Sequence, residues 1–434
     1  MSREMKYSGI PWIGDIPCSW NIERIKTIFK ERTELSKDGS EILLSVSEYY
    51  GVATRSEIVS DGEFVSRAET LVGYKKCYVG DLVSNIMLAW KGSMGITEIN
   101  GIVSPAYCVY EPSQRIYPKY YHYLFRTSLY TSIFRLYSKG IIDSRLRLYS
   151  PYFFDISAII PSLSEQQKIA SFLDKKCAEI EEMITLQEKI IEELKAYKQS
   201  VITEAVTKGL NPKVPMKESG IEWVGQIPAH WEMYRIKYNT FLKGRIGWQG
   251  LNSSDFIDEG YCLITGTDFD NKGGINWDTC YRISKERFDE DELLHIKNGD
   301  LLMTKDGTVG KMAYVKNLPE EASLNSHLLI IRQTTELIDN EFLYWVMLSN
   351  VFKRFCLIHQ SGSIMSSISQ STLGLFNCYF PTKSEQKDIV DYLNVKCTEI
   401  DNLISIKQQK IEHLKEYKKS IIYEYVTGKK EVED

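Results

Sequence analysis

The chain has no run of apolar residues near the ~18 to 20 that a membrane-spanning helix requires. Its first ten residues, MSREMKYSGI, lack the apolar core of a signal peptide, so no membrane association and a cytoplasmic location are expected. Cysteine is sparse: nine residues, widely spaced, with no Cys-x-x-Cys pair, which fits neither a disulfide framework nor a tetrahedral zinc site. The six histidines (122, 230, 295, 327, 359, 413) are scattered without a metal-type pair. An excess of positive charge is also missing. Lys and Arg number 53 against 58 Asp and Glu, a net charge of −5, which argues against one large non-specific basic surface.

Catalytic signatures are equally absent. The Asp/Asn-Pro-Pro-Tyr/Phe box of amino-methyltransferases does not occur; Ser104-Pro105-Ala106-Tyr107 comes nearest and lacks the second proline. Gly307-Thr308-Val309-Gly310-Lys311 resembles a phosphate loop, but its first glycine is too close and Met312 stands where Ser or Thr is required. Glu193-Leu194-Lys195 could pass for a nuclease Glu-x-Lys, yet its counterpart holds His413 and the setting is helical. No catalytic, cofactor-binding or metal-binding residue is therefore expected.

What is present is length, apolar mass and repetition. At 434 residues the chain is about three times a typical ~150-residue domain, and 43% of it is hydrophobic, enough for several cores. Residues 164–207 align without a gap with 384–427, at an offset of 220 and with about half the positions identical. A second match pairs MKYSGIPWIGDIPCSWNIERIK (5–26) with MKESGIEWVGQIPAHWEMYRIK (216–237). Between these ends, 27–160 and 238–380 share only echoes such as Gly80-Asp81-Leu82-Val83 and Gly299-Asp300-Leu301-Leu302. Divergent middles suggest two ligands, and matched ends suggest a shared scaffold or partner.

In 164–207 apolar residues fall in two heptad rows, Leu173, Ile180, Leu194, Val201 and Cys177, Ile184, Ile191, Ala205, interrupted by Gln187 and Lys198. The second copy keeps both rows, interrupted by Lys407 and Lys418. No Pro or Gly breaks either run, and Ser164 and Ser384, each before Glu-Gln, are expected N-caps. Helices of this length extend about 65 Å. Gly209, Pro212 and Pro215 turn the chain back after the first, so an antiparallel pair is expected, with Cys177 and Cys397 as small core residues rather than a disulfide. The first copy carries six Lys against nine Asp and Glu, an outer face better suited to a protein partner than to phosphate. A solvated spacer is the competing reading.

The intervening segments mix short β-like runs (41–46, 82–87, 262–265, 328–332) with amphipathic helical stretches (117–137, 340–355), the pattern of α+β domains. The Trp-x-Gly-x-Ile-Pro-x-x-Trp signature (Trp12 to Trp20, Trp223 to Trp231) is expected to pack a turn against a core. The expected fold is α+β, with two globular domains at 1–160 and 211–380 separated by two long helices at 161–210 and 381–434, as a pseudo-twofold repeat.

Two such Trp openings, two variable middles and two Pro-x-x-Ser-Glu-Gln helices ending near Val-Thr closely resemble the specificity subunit of type I restriction–modification enzymes. The resemblance covers the whole chain and implies a prokaryotic, non-catalytic protein. In that family each middle is a target recognition domain reading half of a bipartite double-stranded DNA sequence. The repeated helices form an antiparallel coiled coil that sets half-site spacing and docks two methyltransferase subunits, through which restriction subunits join. S-adenosylmethionine, ATP and magnesium are then expected on the partner subunits. Each helical turn changes the end separation by about 5.4 Å, against about 3.4 Å per base pair. A coiled-coil scaffold, or an inactive relative without sequence-selective binding, is the alternative.

Base reading needs polar side chains on exposed loops. Two paired regions offer them: 90–95, with Lys91 and Ser93, matched by 304–310, with Lys305, Asp306 and Thr308; and 139–147, with Arg145 and Arg147, matched by 359–364, with Gln360, Ser361 and Ser363. A surface turn or local salt bridge competes for each. Glu181, Glu188, Glu192, Glu412 and Glu416 are the candidate partner-binding residues on the helices. With 19 basic and 17 acidic residues in 1–160, and 18 and 21 in 212–383, weak non-specific DNA affinity is expected of the chain alone.

Overall fold

The computed structural model describes residues 3–48, 51–54, 70–245, 251, 253–270, 272–362 and 366–432. The chain divides into two compact units, Met1–Gln187 with Gln409–Asp434, and Glu188–Gln408. The division runs through both long helices, Leu163–Lys208 and Lys383–Val426, so each unit owns part of each.

Within the first unit the helices run antiparallel. Phe172 packs on Tyr425 with ring centroids 4.4 Å apart, and Lys418 pairs with Glu181. Within the second unit Lys198 Nζ lies 2.7 Å from Asp401. The two ion pairs are the same pair repeated at an offset of 220, which explains why lysine interrupts the apolar row at 198 and 418. Leu173, Ile180 and Ile184 are buried in the first unit, and Leu393, Cys397 and Ile400 in the second, as the heptad rows require. Cys177 and Cys397 are both buried free thiols.

Each divergent middle folds around a four-stranded antiparallel sheet of identical order. In the first unit this is Phe29–Arg32, Tyr107–Pro112, Leu82–Asn85, Met94–Ile96; in the second, Thr240–Gly244, Leu328–Gln333, Leu301–Thr304, Met312–Tyr314. The Gly-Asp echo has a structural cause. Asp81 and Asp300 are buried, each accepts a backbone N–H three residues back (Tyr78, Lys297), and each is bound by an arginine, Arg32 at 2.8 Å or Arg332 at 2.7 Å. The arginine comes from non-equivalent strands, so burial of the carboxylate is retained while its partner moves. Elsewhere the units differ: the first adds a hairpin, Leu44–Ser47 with Gly51–Thr54, and the second a three-stranded sheet centred on Tyr261–Ile264.

The expected helical stretches are each split in two: Pro118–Leu124 and Ser128–Tyr137, Asn340–Leu348 and Asn350–His359. Thr127 and Ser349 take extended backbone at the breaks, and the Thr127 hydroxyl accepts from Tyr130 N. The break turns Tyr120, Tyr121, Phe125, Tyr130 and Phe134 into one core, each burial stabilising by ~1.5–3 kcal/mol. His122 lies beside Gly51, Gly95 and Arg126, and its Nδ1 accepts from Ile96 N; burial, with the Arg126 charge, pushes it down to about 3.

The repeated ends are one device. Strand Asn21–Arg24 pairs with Ser157–Ile160, and Glu232–Arg235 with Asn377–Phe380, bringing each Trp opening to the start of its long helix. There Trp20 Nε1 donates to Glu165 at 2.7 Å and Trp231 Nε1 to Glu385 at 3.2 Å, both indoles fully buried. Trp12 meets Tyr130 edge-on at 5.3 Å, so the signature packs as expected, although Trp223 is exposed. One expectation is corrected. Ser164 and Ser384 lie inside the helices, and the first-turn amides of Glu165 and Glu385 are capped by Ser162 and Thr382, because helix begins one residue before each Ser-Glu-Gln.

Candidate nucleic-acid interface

In each unit two chain segments far apart in sequence meet at one sheet edge. In the first, the turn after Leu82–Asn85 joins the 139–147 loop through Leu148 N, which donates to Ile86 O at 2.9 Å. In the second, Ile368 N donates to Lys305 O at 2.8 Å, and Asp306 bridges to Ser367. These equivalent bonds lie beside the candidate loops, which are linked through Arg135 to Trp90 and Asp143 in the first unit and through Ser367 to Asp306 and Ser361 in the second.

The first unit's loops are basic. Trp90, held by an indole hydrogen bond to Met87 O, lies under two cations: Arg135 at 4.9 Å and Lys91 at 5.3 Å from its ring. Arg135 also binds Asp143 at 2.7 Å, which ties the 139–147 loop to the helix behind it. Lys139 Nζ sits 4.6 Å over Tyr152, and Arg145 is exposed. Arg147 is half-buried and donates to Ser144 O and Leu146 O of its own loop. Ser93 must be withdrawn as a DNA contact. It is fully buried and its hydroxyl donates to Val46 O at 3.0 Å, because the turn at Gly92 (φ 88°) returns the chain into the sheet strand Met94–Ile96, against the Leu44–Ser47 hairpin.

The second unit's loops are polar rather than basic. Lys305 is half-buried with its backbone bonded to His327 and Ile368, Asp306 faces His327 Nδ1 at 3.3 Å, and Thr308 is exposed beside Gly307 (φ 73°). Gln360 ends a helix, Ser361 is exposed and exchanges two backbone bonds with Ser367, and Ser363 lies outside the described residues. Lys311 of the phosphate-loop lookalike is tied to Gly266 O and Phe269 O. Among the described residues no His, Cys, Asp and Glu group could hold a metal ion, and no helix is long and apolar enough to cross a membrane.

The helix carboxylates divide. Glu181 is exposed and forms half of the cross-helix pair with Lys418. Glu188 is exposed, and Glu192, Glu412 and Glu416 lie on the outer face, each paired with a lysine three residues on. Sequence reasoning missed the Trp–Glu contacts, although the recurrence of Trp and Glu in both copies was their signal.

Two globular recognition regions carried on one repeated helical scaffold define a duplicated DNA-specificity protein. The model of the type I restriction modification DNA specificity domain matches residues 17–196 and again 247–416, and the chain belongs to this family. It is a specificity subunit of type I restriction–modification systems, with two recognition domains. It is 26% identical over 428 residues to the type I restriction enzyme MjaVIII specificity subunit of Methanocaldococcus jannaschii, covering 95% of this chain and 93% of that one. The putative MjaX specificity subunit of the same organism is 24% identical over 434 residues, covering 96% and 95%. The fold matches a chain from a study of the assembly and conformational transition of the type I R-M system (TM-score 0.71, 15% identity, 95% and 98% covered). It also matches the HsdS subunit from Thermoanaerobacter tengcongensis (TM-score 0.55, 15% identity, 95% and 98% covered).

Proposed function

We propose that each unit reads one half of a bipartite double-stranded DNA target, and that this chain contributes recognition without catalysis. The observation that carries the reading is the combination of identical sheet order and identical helix anchoring with dissimilar loops, basic in one unit and polar in the other. Equal scaffolds present equal surfaces, so the helix pair docks two methyltransferase subunits and sets half-site spacing, with restriction subunits joining through that complex. S-adenosylmethionine, ATP and magnesium belong to those partners. The work is done in the cytoplasm, where host DNA lies. Exchanging 238–380 for the matching segment of a relative tests this: methylation mapping then shows one half-site changed and the other intact. A change in both, or in neither, overturns the modular reading.

A further inference from the structure

The 139–147 loop of the first unit carries an unusual tip. Ile141 is 99% exposed and Ile142 53%, in a unit whose other isoleucines are mostly buried. The loop holding them is stiff. Lys139 and Arg147 exchange two backbone bonds of 2.9 Å, Arg145 N donates to Ile142 O at 2.8 Å, and Arg135 grips Asp143 from the helix behind. Gly140 has φ +152°, and a Cβ there would lie 2.5 Å from Arg145 O, so the tight turn that projects Ile141 tolerates glycine alone. Residues 135–147 include four cations and one carboxylate; Arg135 is held by Asp143 and Arg147 is bonded to Ser144 O and Leu146 O, which leaves Lys139 and Arg145 as the cations nearest Ile141 in sequence, with Leu136 and Ile142 also exposed.

Ile141 is exposed on a held loop, so its side chain is available to a partner without any rearrangement of this chain. A protein-docking patch is broad at its apolar centre and poor in lysine. A rigidly held, fully exposed isoleucine on a loop that also carries Lys139 and Arg145 instead suits a polyanion with an apolar interior reachable between stacked planes, which describes the duplex. Resting on the proposed DNA-reading role of this unit, we propose that Ile141 is a wedge pressed into one base step of the first half-site, with Lys139 and Arg145 on the flanking phosphates. The wedge unstacks that step, so this unit selects sequence partly by how readily the step opens, at a position where no side chain hydrogen-bonds a base.

The test uses the full chain assembled with its methyltransferase subunits, on duplexes bearing the target found by methylation mapping and 2-aminopurine at each half-site position in turn. Wild type brightens one step; Ile141→Ala loses the signal and about tenfold or more in affinity, and Ile141→Met keeps most of both. The residue is exposed, so the melting temperature of Ile141→Ala stays at the wild-type value. If wild type binds its target selectively but no step brightens, or Ile141→Ala is unchanged, the wedge is wrong and DNA reading stands. If Ile141→Ala fails to assemble with the methyltransferase, the tip is a protein contact and the wedge is overturned. If wild type shows no selective binding, the DNA-reading role itself is wrong.

Discussion

Gln166 and Gln386, the glutamines of the two Ser-Glu-Gln motifs, are fully buried and fasten each long helix to its globular region. Gln386 Oε1 accepts from Asp339 N at 2.8 Å, and its Nε2 donates to Leu337 O and Pro381 O, each at 2.9 Å. Gln166 makes two such bonds, accepting from Tyr117 N at 2.8 Å and donating to Pro161 O at 2.9 Å. Leucine has nearly the same shape and no polar atoms, so Gln386→Leu strands three backbone groups, Pro381 O buried with Asp339 N and Leu337 O partly exposed, and Gln166→Leu two, Pro161 O buried and Tyr117 N partly exposed. At ~1–2 kcal/mol for the buried carbonyl and ~0.5–1 kcal/mol for each partly exposed group, the losses are about 2–4 and about 1.5–3 kcal/mol, a gap of about one partly exposed hydrogen bond. A chain with two units does not unfold in one step, so the assay is native-state hydrogen exchange, followed at the Asp339 and Tyr117 amides. Gln386→Leu is expected to accelerate exchange throughout the second unit and leave the first at wild-type rates, with the converse for Gln166→Leu. A Gln386→Leu loss under ~1 kcal/mol, or smaller than that of Gln166→Leu, refutes the reasoning.

The two cross-helix ion pairs are partly exposed, so a double-mutant cycle on Lys198 and Asp401 is expected to give coupling on the order of 0.5 kcal/mol, and Lys418 with Glu181 the same. Coupling in one pair and none in the other contradicts their equivalence. His122 is held neutral, at about 3 against an ordinary 6.5, so below pH 6.5 the unfolded chain binds a proton that the folded chain does not. Stability is therefore full above pH 6.5 and falls as pH drops from 6.5 towards 3, by at most about 3 kcal/mol at pH 4, less to the extent that the ring touches solvent. Chemical denaturation of wild type and His122→Gln across that range checks this, and a parallel pH dependence in the two proteins contradicts it.

The sequence carried the repeat, the heptad rows and the divergent middles openly, because apolar periodicity and duplication are local and direct. It did not carry the shared sheet order of the middles. Sheet order depends on which edges meet, and a buried carboxylate both copies keep, Asp81 and Asp300, takes its arginine from different strands. The candidate loops were found because glycine and polar residues mark turns, but side-chain direction was beyond the pattern. Ser93 is buried on Val46 O, while Arg145, two residues from the half-buried Arg147, faces solvent. The exposure of Ile141 was hidden for the same reason, since hydrophobicity alone assigns isoleucine to a core.

The central claim is that this chain supplies the sequence specificity of a methyltransferase complex through two independent readers. Base-resolution methylation mapping of a host expressing the cognate methyltransferase subunit, with and without this chain, tests it most directly. Methylation is expected at a single split motif and only when the chain is present. Methylation at the same motif without the chain, or none despite a stable complex, contradicts it.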